Sequence, residues 1–77
     1  MLAEPVIVDA RGLLCPMPVI RVQDAIAGMS PGAEVHLLAT DPGVQADVPA
    51  WCRVHGHRVE AVLEEGDTLR VCIRVRD

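Results

Sequence analysis

The segment Arg11-Gly12-Leu13-Leu14-Cys15-Pro16-Met17-Pro18 sets a cysteine between a predicted strand and a predicted helix. Proline is favoured in the first turn of a helix, because the amide hydrogen that it lacks would have no partner there. We therefore predict that Cys15 is the helix N-cap, with Pro16 at N1 and Pro18 at N3. The segment thus fixes where the first strand ends and where the first helix begins.

The predicted helix start favours a reactive thiol at Cys15. Pro16 and Pro18 have no amide hydrogen, so the N–H groups of Cys15 and Met17 are the donors that remain in this turn. These donors and the positive end of the helix dipole point at the space around the sulfur. Such a position lowers the pKa of a thiol below its usual value of about 8.5 and increases the thiolate fraction. Arg11 adds a positive charge that favours a sulfur anion. The alternative is a small cysteine buried in the core, for which a predicted surface turn is a poor position.

The length of the chain predicts one small domain, 1–77, and its composition excludes several classes of function. Its 77 residues are 51% hydrophobic but include no Phe or Tyr and one Trp, so aliphatic side chains must form the core. All seven basic residues are arginine and the net charge is −4. The lack of lysine excludes Schiff-base chemistry, and the acidic balance argues against direct nucleic-acid contact.

Because no apolar run is long enough to span a membrane and the first residues lack a signal-peptide pattern, we expect a cytoplasmic protein with no membrane partner.

Hydrophobic periodicity predicts four strands and two helices in the order β-α-β-α-β-β. The strands are predicted at 5–9, 34–40, 57–63 and 68–76, and the helices at 16–29 and 44–55. Only the last two strands form an obvious hairpin. We expect an α+β fold: a two-layer α/β sandwich in which both helices cover one face of a four-stranded mixed sheet.

Pro49 leaves two interpretations of the second helix. A proline inside a helix removes a hydrogen bond and kinks the chain. Either the helix is kinked at Pro49, or its regular part begins with Asp47 as the N-cap and the earlier residues form a separate turn. We favour the kinked helix, because the apolar stripe that begins at Val44 continues across the proline to Cys52.

Cysteine and histidine side chains outside the first segment give two weaker hypotheses. Cys52, His55 and His57 have the spacing C-x2-H-x-H, but a structural zinc site needs four ligands, and a helix followed by a strand does not aim these three at one point. We therefore expect no metal, and we place Cys52 in the core. The alternative is that Cys52 forms a redox pair with Cys15. The two cysteines do not have the C-x-x-C spacing that would favour this pairing.

The last strand alternates, and it places Arg70, Arg74 and Arg76, here called the arginine stripe, on the sheet face away from the helices together with Cys72. Charged side chains on an open face are typically solvated and paired across strands, here to Glu60. The functional alternative is that the arginine stripe is a docking patch for an acidic partner or RNA.

Two carboxylates flank the cysteine segment. Asp9 precedes it, and Asp41 follows the second strand, so Asp41 lies at the same end of the sheet if the first two strands are parallel. Aspartate commonly holds loop backbone through hydrogen bonds. We expect this structural role for both carboxylates.

Together these residues resemble the TusA (SirA-like) family of small sulfur carriers. The shared pattern is Asp9-x-Arg11-Gly12-Leu13-x-Cys15-Pro16-x-Pro18, then Asp41-Pro42, then Asp47-Val48-Pro49-Ala50-Trp51-Cys52-x-x-x-Gly56-His57. It covers essentially the whole chain, and its C-P-x-P motif is specific because Arg-Gly-Leu precedes it. The resemblance implies a βαβαββ sandwich in which Gly12, Pro16 and Pro18 shape the turn and Cys15 carries a persulfide.

The resemblance also implies protein partners and no cofactor. Proteins of this family accept sulfane sulfur from a cysteine desulfurase or a rhodanese-like donor and hand it to a downstream acceptor protein. The downstream uses are 2-thiolation of the tRNA wobble uridine, sulfur oxidation and sulfur supply to molybdenum cofactor or other metabolism. Leu14 stands where relatives often carry a basic residue. The alternatives are a non-catalytic protein-binding module and a thiol-disulfide oxidoreductase that uses Cys15 and Cys52.

Overall fold

A computed structural model describes residues 4–76, and its elements follow the predicted order β-α-β-α-β-β. The four strands are β1 (Val6–Ala10), β2 (Glu34–Ala39), β3 (Arg58–Glu65) and β4 (Thr68–Arg74). The two helices are α1 (Met17–Ile26) and α2 (Val44–His55). Within the described part of the chain, neither helix combines the length and the apolar character needed to cross a lipid bilayer.

The sheet has the strand order β1-β2-β4-β3. β1 and β2 are parallel, with Val6 opposite Val35, because α1 returns the chain to the edge where β1 began. β4 is antiparallel to both neighbours, and a tight turn at Gly66 (φ 68°) joins it to β3. The carboxyl ends of β1 and β2 therefore meet at one edge of the sheet, which we call the cysteine edge because it bears the loops 11–16 and 40–43.

The core consists of buried aliphatic side chains from both layers. From the sheet it takes Val35, Leu37, Ala39, Leu69, Val71 and Ile73, and from the helices Val22, Ile26, Val44, Val48 and Cys52. Alternate residues of β2 and β4 contribute, as expected for strands covered on one face. Because a single cluster joins them all, both helices lie on the same face, and the predicted two-layer sandwich is confirmed.

α2 extends from Val44 to His55 across Pro49, so one helix contains the whole apolar stripe, as predicted, and its N-cap is Gly43, not Asp47. The kink at Pro49 stays a prediction. Pro49 lacks the amide that would bond to the carbonyl four residues earlier. On either side of it, Val48 and Cys52 are 0% and 1% exposed, so burial of this apolar face holds the helix together across the missing bond. Gly56 ends the helix in the left-handed conformation (φ 82°), which glycine adopts without a steric penalty.

Leu37→Ala removes a side chain that is 0% exposed at the centre of the core. We expect it to lower the free energy of unfolding by about 2–5 kcal/mol, because the surrounding side chains do not fill the cavity that it leaves. Leu63→Ala on β3, where the side chain is 46% exposed, is the matched control and should cost less than about 1 kcal/mol. Urea unfolding followed by circular dichroism measures both. Equal losses would contradict the assignment of the core to the helix-covered face.

Candidate functional site

Cys15 lies at the cysteine edge, in the loop between β1 and α1, and two hydrogen bonds tie that loop to the loop after β2. The Gly12 amide donates to Thr40 Oγ1 at 2.9 Å, and the Cys15 amide donates to Asp41 Oδ2 at 2.9 Å. The parallel pairing of β1 with β2 brings these loops together. Asp41 therefore lies beside Cys15, as the strand order predicted.

The Asp41 carboxylate also fixes the start of α2. Its second oxygen, Oδ1, accepts a hydrogen bond from the amide of Gly43, the N-cap of the helix, at 3.0 Å. Hydrogen bonds from the Gly43 amide, then from the Cys15 thiol and amide, lower the pKa of Asp41. The Asp41 side chain thus fixes the position of the cysteine loop relative to the N-terminus of α2.

Gly43 is a site residue that the sequence analysis missed. A Cβ atom built on it would lie 3.2 Å from Cys15 Sγ and 3.4 Å from Asp41 Oδ1, so the sulfur packs directly against the glycine. The backbone of Gly43 is ordinary right-handed helix (φ −59°), and the close approach of the sulfur is the reason for glycine here. The turn Asp41-Pro42-Gly43 was visible in the sequence, but nothing in the spacing placed a sulfur on it.

The electrostatics at the sulfur are opposite to the expectation. Hydrogen bonding to the carboxylate of Asp47, and next to that of Asp41, raises the pKa of Cys15 to about 12, and partial burial and the two negative charges add to the rise. A carboxylate that accepts from a thiol stabilises its protonated form. The prediction of a lowered pKa is therefore wrong, and Asp47, in the first turn of α2, is the second site residue that the sequence analysis missed.

The expected amide donors at the start of α1 are also engaged elsewhere. The helix begins one residue later than predicted, with Pro16 as N-cap and the first turn at Met17 and Pro18. The Met17 amide donates to the Leu14 carbonyl at 2.9 Å, and the Cys15–Pro16 peptide bond is cis. The prediction that Cys15 is the N-cap is therefore wrong. The prediction that the Met17 amide is free to bind the sulfur is also wrong, because the turn between residues 14 and 17 uses that amide.

Asp9 and Arg11 form an exposed ion pair next to the site. The guanidinium donates to both carboxylate oxygens, at 2.9 Å and 2.8 Å, and the Arg11 amide donates to Asp9 Oδ1 at 3.1 Å. The side-chain hydrogen bond from Arg11 is the main reason that the pKa of Asp9 falls to about 2. The Arg11 charge is compensated by Asp9, and its support of a sulfur anion stays a prediction.

The other cysteine and histidine hypotheses do not fit the geometry. Cys15 and Cys52 are both free thiols in the structure. Cys52 is 1% exposed and lies nine residues, about 14 Å along α2, from Gly43, the residue that the Cys15 sulfur contacts, so the two thiols are not adjacent. Burial raises the pKa of Cys52 to about 11. Both histidine rings pack on Trp51: His55 is tilted against it with ring centroids 4.7 Å apart, and His57 is stacked on it at 5.3 Å. Residues 4–76 contain no group of three or more potential metal ligands.

The arginine stripe is largely neutralised within the chain. Arg74 donates to Glu60 at 3.3 Å, as predicted, and to Glu34 at 3.3 Å. Arg70 donates to Glu65 at 3.0 Å. Cys72 lies between these two arginines and is 8% exposed, so the expectation of an open position there is wrong: the paired side chains cover it. A docking role for the stripe stays a prediction.

Comparison with known proteins relates this arrangement to one family. A family model described as "Sulfurtransferase TusA" matches residues 6–75. The chain is 37% identical over 68 residues to the sulfur carrier protein TusA of Pseudomonas aeruginosa (strain LESB58), covering 88% of this chain and 86% of that protein. It is 34% identical over 74 residues to YrkF of Bacillus subtilis (strain 168), covering 96% of this chain but 40% of that relative.

The fold has a similar solved structure. The crystal structure of the SirA-like protein from Desulfitobacterium hafniense superposes with a TM-score of 0.82 at 26% sequence identity, covering 94% of this chain and 99% of that one. The element order, the cysteine edge and the family match over residues 6–75 agree with one another. The chain belongs to the TusA family.

Proposed function

We propose that this protein is a sulfur carrier that accepts sulfane sulfur on Cys15 as a persulfide and relays it to a downstream acceptor protein. The observation on which the proposal rests is the position of the thiol: half-buried, at the surface junction of two loops that Asp41 ties together. Family membership and the names of the relatives support the carrier role. We propose a cysteine desulfurase or a rhodanese-like protein as the donor.

The transfer is a thiol–persulfide exchange that needs no cofactor. The Cys15 sulfur attacks the outer sulfur of the donor persulfide, a new S–S bond forms, and the bond between the two donor sulfurs breaks. The donor cysteine leaves as a thiolate and takes up the proton that Cys15 loses. The products are a Cys15 persulfide and a donor thiol, and a second exchange of the same kind passes the outer sulfur to the acceptor.

The two carboxylates at the sulfur restrict when this exchange occurs. With a pKa of about 12, the Cys15 thiol is protonated at neutral pH, and the resting carrier is a poor nucleophile. A cationic side chain of a docked donor, placed beside Asp47, offsets that negative charge and lowers the pKa of Cys15. Leu14 and Met17, whose side chains are 75% and 40% exposed on either side of the cysteine, provide apolar surface for the same contact.

The compartment that we propose is the cytoplasm. Cys15, Cys52 and Cys72 are all free thiols, and the thiol chemistry of a persulfide carrier requires its cysteine to stay reduced between transfers. A reducing compartment provides that condition.

Cys15→Ala should abolish sulfur loading. We expect the wild-type protein, incubated with a cysteine desulfurase, pyridoxal phosphate and cysteine, to gain the mass of one sulfur atom, and to lose it again on reduction. Intact-protein mass spectrometry makes the measurement. Cys72→Ala, which removes a thiol from the other face of the sheet, is the matched control and should load normally. A Cys15→Ala protein that still gains sulfur would refute the assignment.

Asp47→Asn should make Cys15 more reactive towards iodoacetamide. Removing the carboxylate charge lowers the pKa of the thiol, and the thiolate fraction near pH 8 rises about tenfold for each unit by which the pKa falls. The alkylation rate rises by about threefold per unit, because a thiolate of lower pKa is a weaker nucleophile. The pH–rate profile should move to lower pH by as much as the pKa falls. Asp24→Asn, at an exposed position on α1, is the control and should leave the profile unchanged. A slower or unchanged rate in Asp47→Asn would contradict this account of the site.

A further inference from the structure

A polar cavity of about 340 Å³ lies at the edge of the sheet opposite to Cys15, where β4 ends and β2 begins. Its lining includes Arg58, Glu60, Arg74 and Arg76, with Gly32 and Gly56 at its walls. The length of β2, about 17 Å, separates it from the cysteine edge. We call it the arginine cavity, and neither the site described above nor the proposed transfer uses it.

The charges in the arginine cavity are unbalanced. Arg74 is compensated, because it donates to Glu34 and Glu60 and to the Gly32 carbonyl. Among residues 4–76, no carboxylate lies within 4.0 Å of the Arg58 or Arg76 guanidinium. Within the described part of the chain, the charges of Arg58 and Arg76 thus have no carboxylate partner, although the net charge of the protein is −4.

The backbone places two of these arginines side by side and holds the third against α2. Arg58 and Arg74 are directly opposite each other in the β3–β4 ladder, and the Glu34 and Glu60 carboxylates offset the charge of Arg74, which reduces the repulsion that two like charges have in that position. The Arg76 amide donates to His57 Nδ1 at 3.1 Å, and Arg76 Cδ lies 3.1 Å from the position of a Cβ on Gly56. The stem of Arg76 is therefore held against the end of α2. Burial, followed by the charge of Arg76, lowers the pKa of His57, so the imidazole adds no charge at neutral pH.

We propose that the arginine cavity binds a compact ligand with two adjacent oxyanion groups of the phosphate type. Guanidinium groups bind such oxygens in a bidentate manner. Arg58 and Arg76 supply two guanidinium groups that have no carboxylate partner among residues 4–76, and Arg74 lines the same cavity. The volume is near the lower end of the range for small-molecule sites, which restricts the ligand to the size of a diphosphate group with a small substituent.

Titration of the full-length chain with inorganic pyrophosphate at low salt, followed by NMR, tests the proposal. We expect saturable shifts of the Gly32, Gly56 and Arg76 amides, and binding at least about tenfold tighter than that of orthophosphate, because the second group engages a second guanidinium. Persulfide loading is not needed, so the result is independent of the proposed transfer. Added sodium chloride should weaken the binding.

Arg58→Gln and Arg76→Gln should each weaken pyrophosphate binding about tenfold or more. Arg21→Gln, at an exposed arginine on α1 outside the cavity, is the matched control and should change it less than about twofold. Urea unfolding checks that each variant is folded as the wild type is. The proposal is overturned if pyrophosphate produces no saturable shifts at millimolar concentration, or if the two cavity variants bind it like the control. Saturable binding of a tetraglutamate peptide but not of pyrophosphate would also overturn it.

Discussion

The Asp41 carboxylate is the contact on which the geometry of the site depends. It accepts one amide from each of the two loops at the cysteine edge, that of Cys15 and that of Gly43. Both hydrogen bonds have a charged acceptor, which makes them stronger than bonds between neutral groups. Without the carboxylate, two partly buried amides lose their partner, which is costly in itself, and the sulfur loses its fixed place on the N-terminus of α2. The parallel pairing of β1 and β2 makes this bridge possible.

The parts of the structure that the sequence predicted are those that follow from periodicity and strand direction. Leu69, Val71 and Ile73 alternate with polar residues, and that alternation alone assigns one face of β4 to the core. The same kind of rule placed Asp41 beside Cys15, since parallel strands end at a common edge. The start of α1 was misplaced by one residue, because the preference of proline for the first turn of a helix does not show that the Leu14 carbonyl takes the Met17 amide.

The reversed pKa of Cys15 has a different cause. The expectation of an acidic thiol considered only the helix that follows the cysteine in sequence, whereas the sulfur packs against the start of the other helix. Asp47 is 32 residues away along the chain, and no local spacing links the two. The topology did contain part of the signal: α2 begins at the same edge as Asp41, so its first turn lies next to the cysteine loop. Charges brought together by the fold outweigh the effect of the local helix terminus here.

Among the described residues, the Asp41 and Asp47 carboxylates act on the sulfur at one edge of the sheet. Arg58 and Arg76, which have no carboxylate within 4.0 Å in that part of the chain, line the cavity at the other. The separation of about 17 Å along β2 exceeds the Debye length of about 8 Å at physiological ionic strength. An anion in the arginine cavity therefore has little direct effect on the pKa of Cys15, whereas a cation docked beside Asp47 acts within a few ångströms. The proposed control of the Cys15 thiol by a docked partner therefore acts at the cysteine edge and is independent of the arginine cavity.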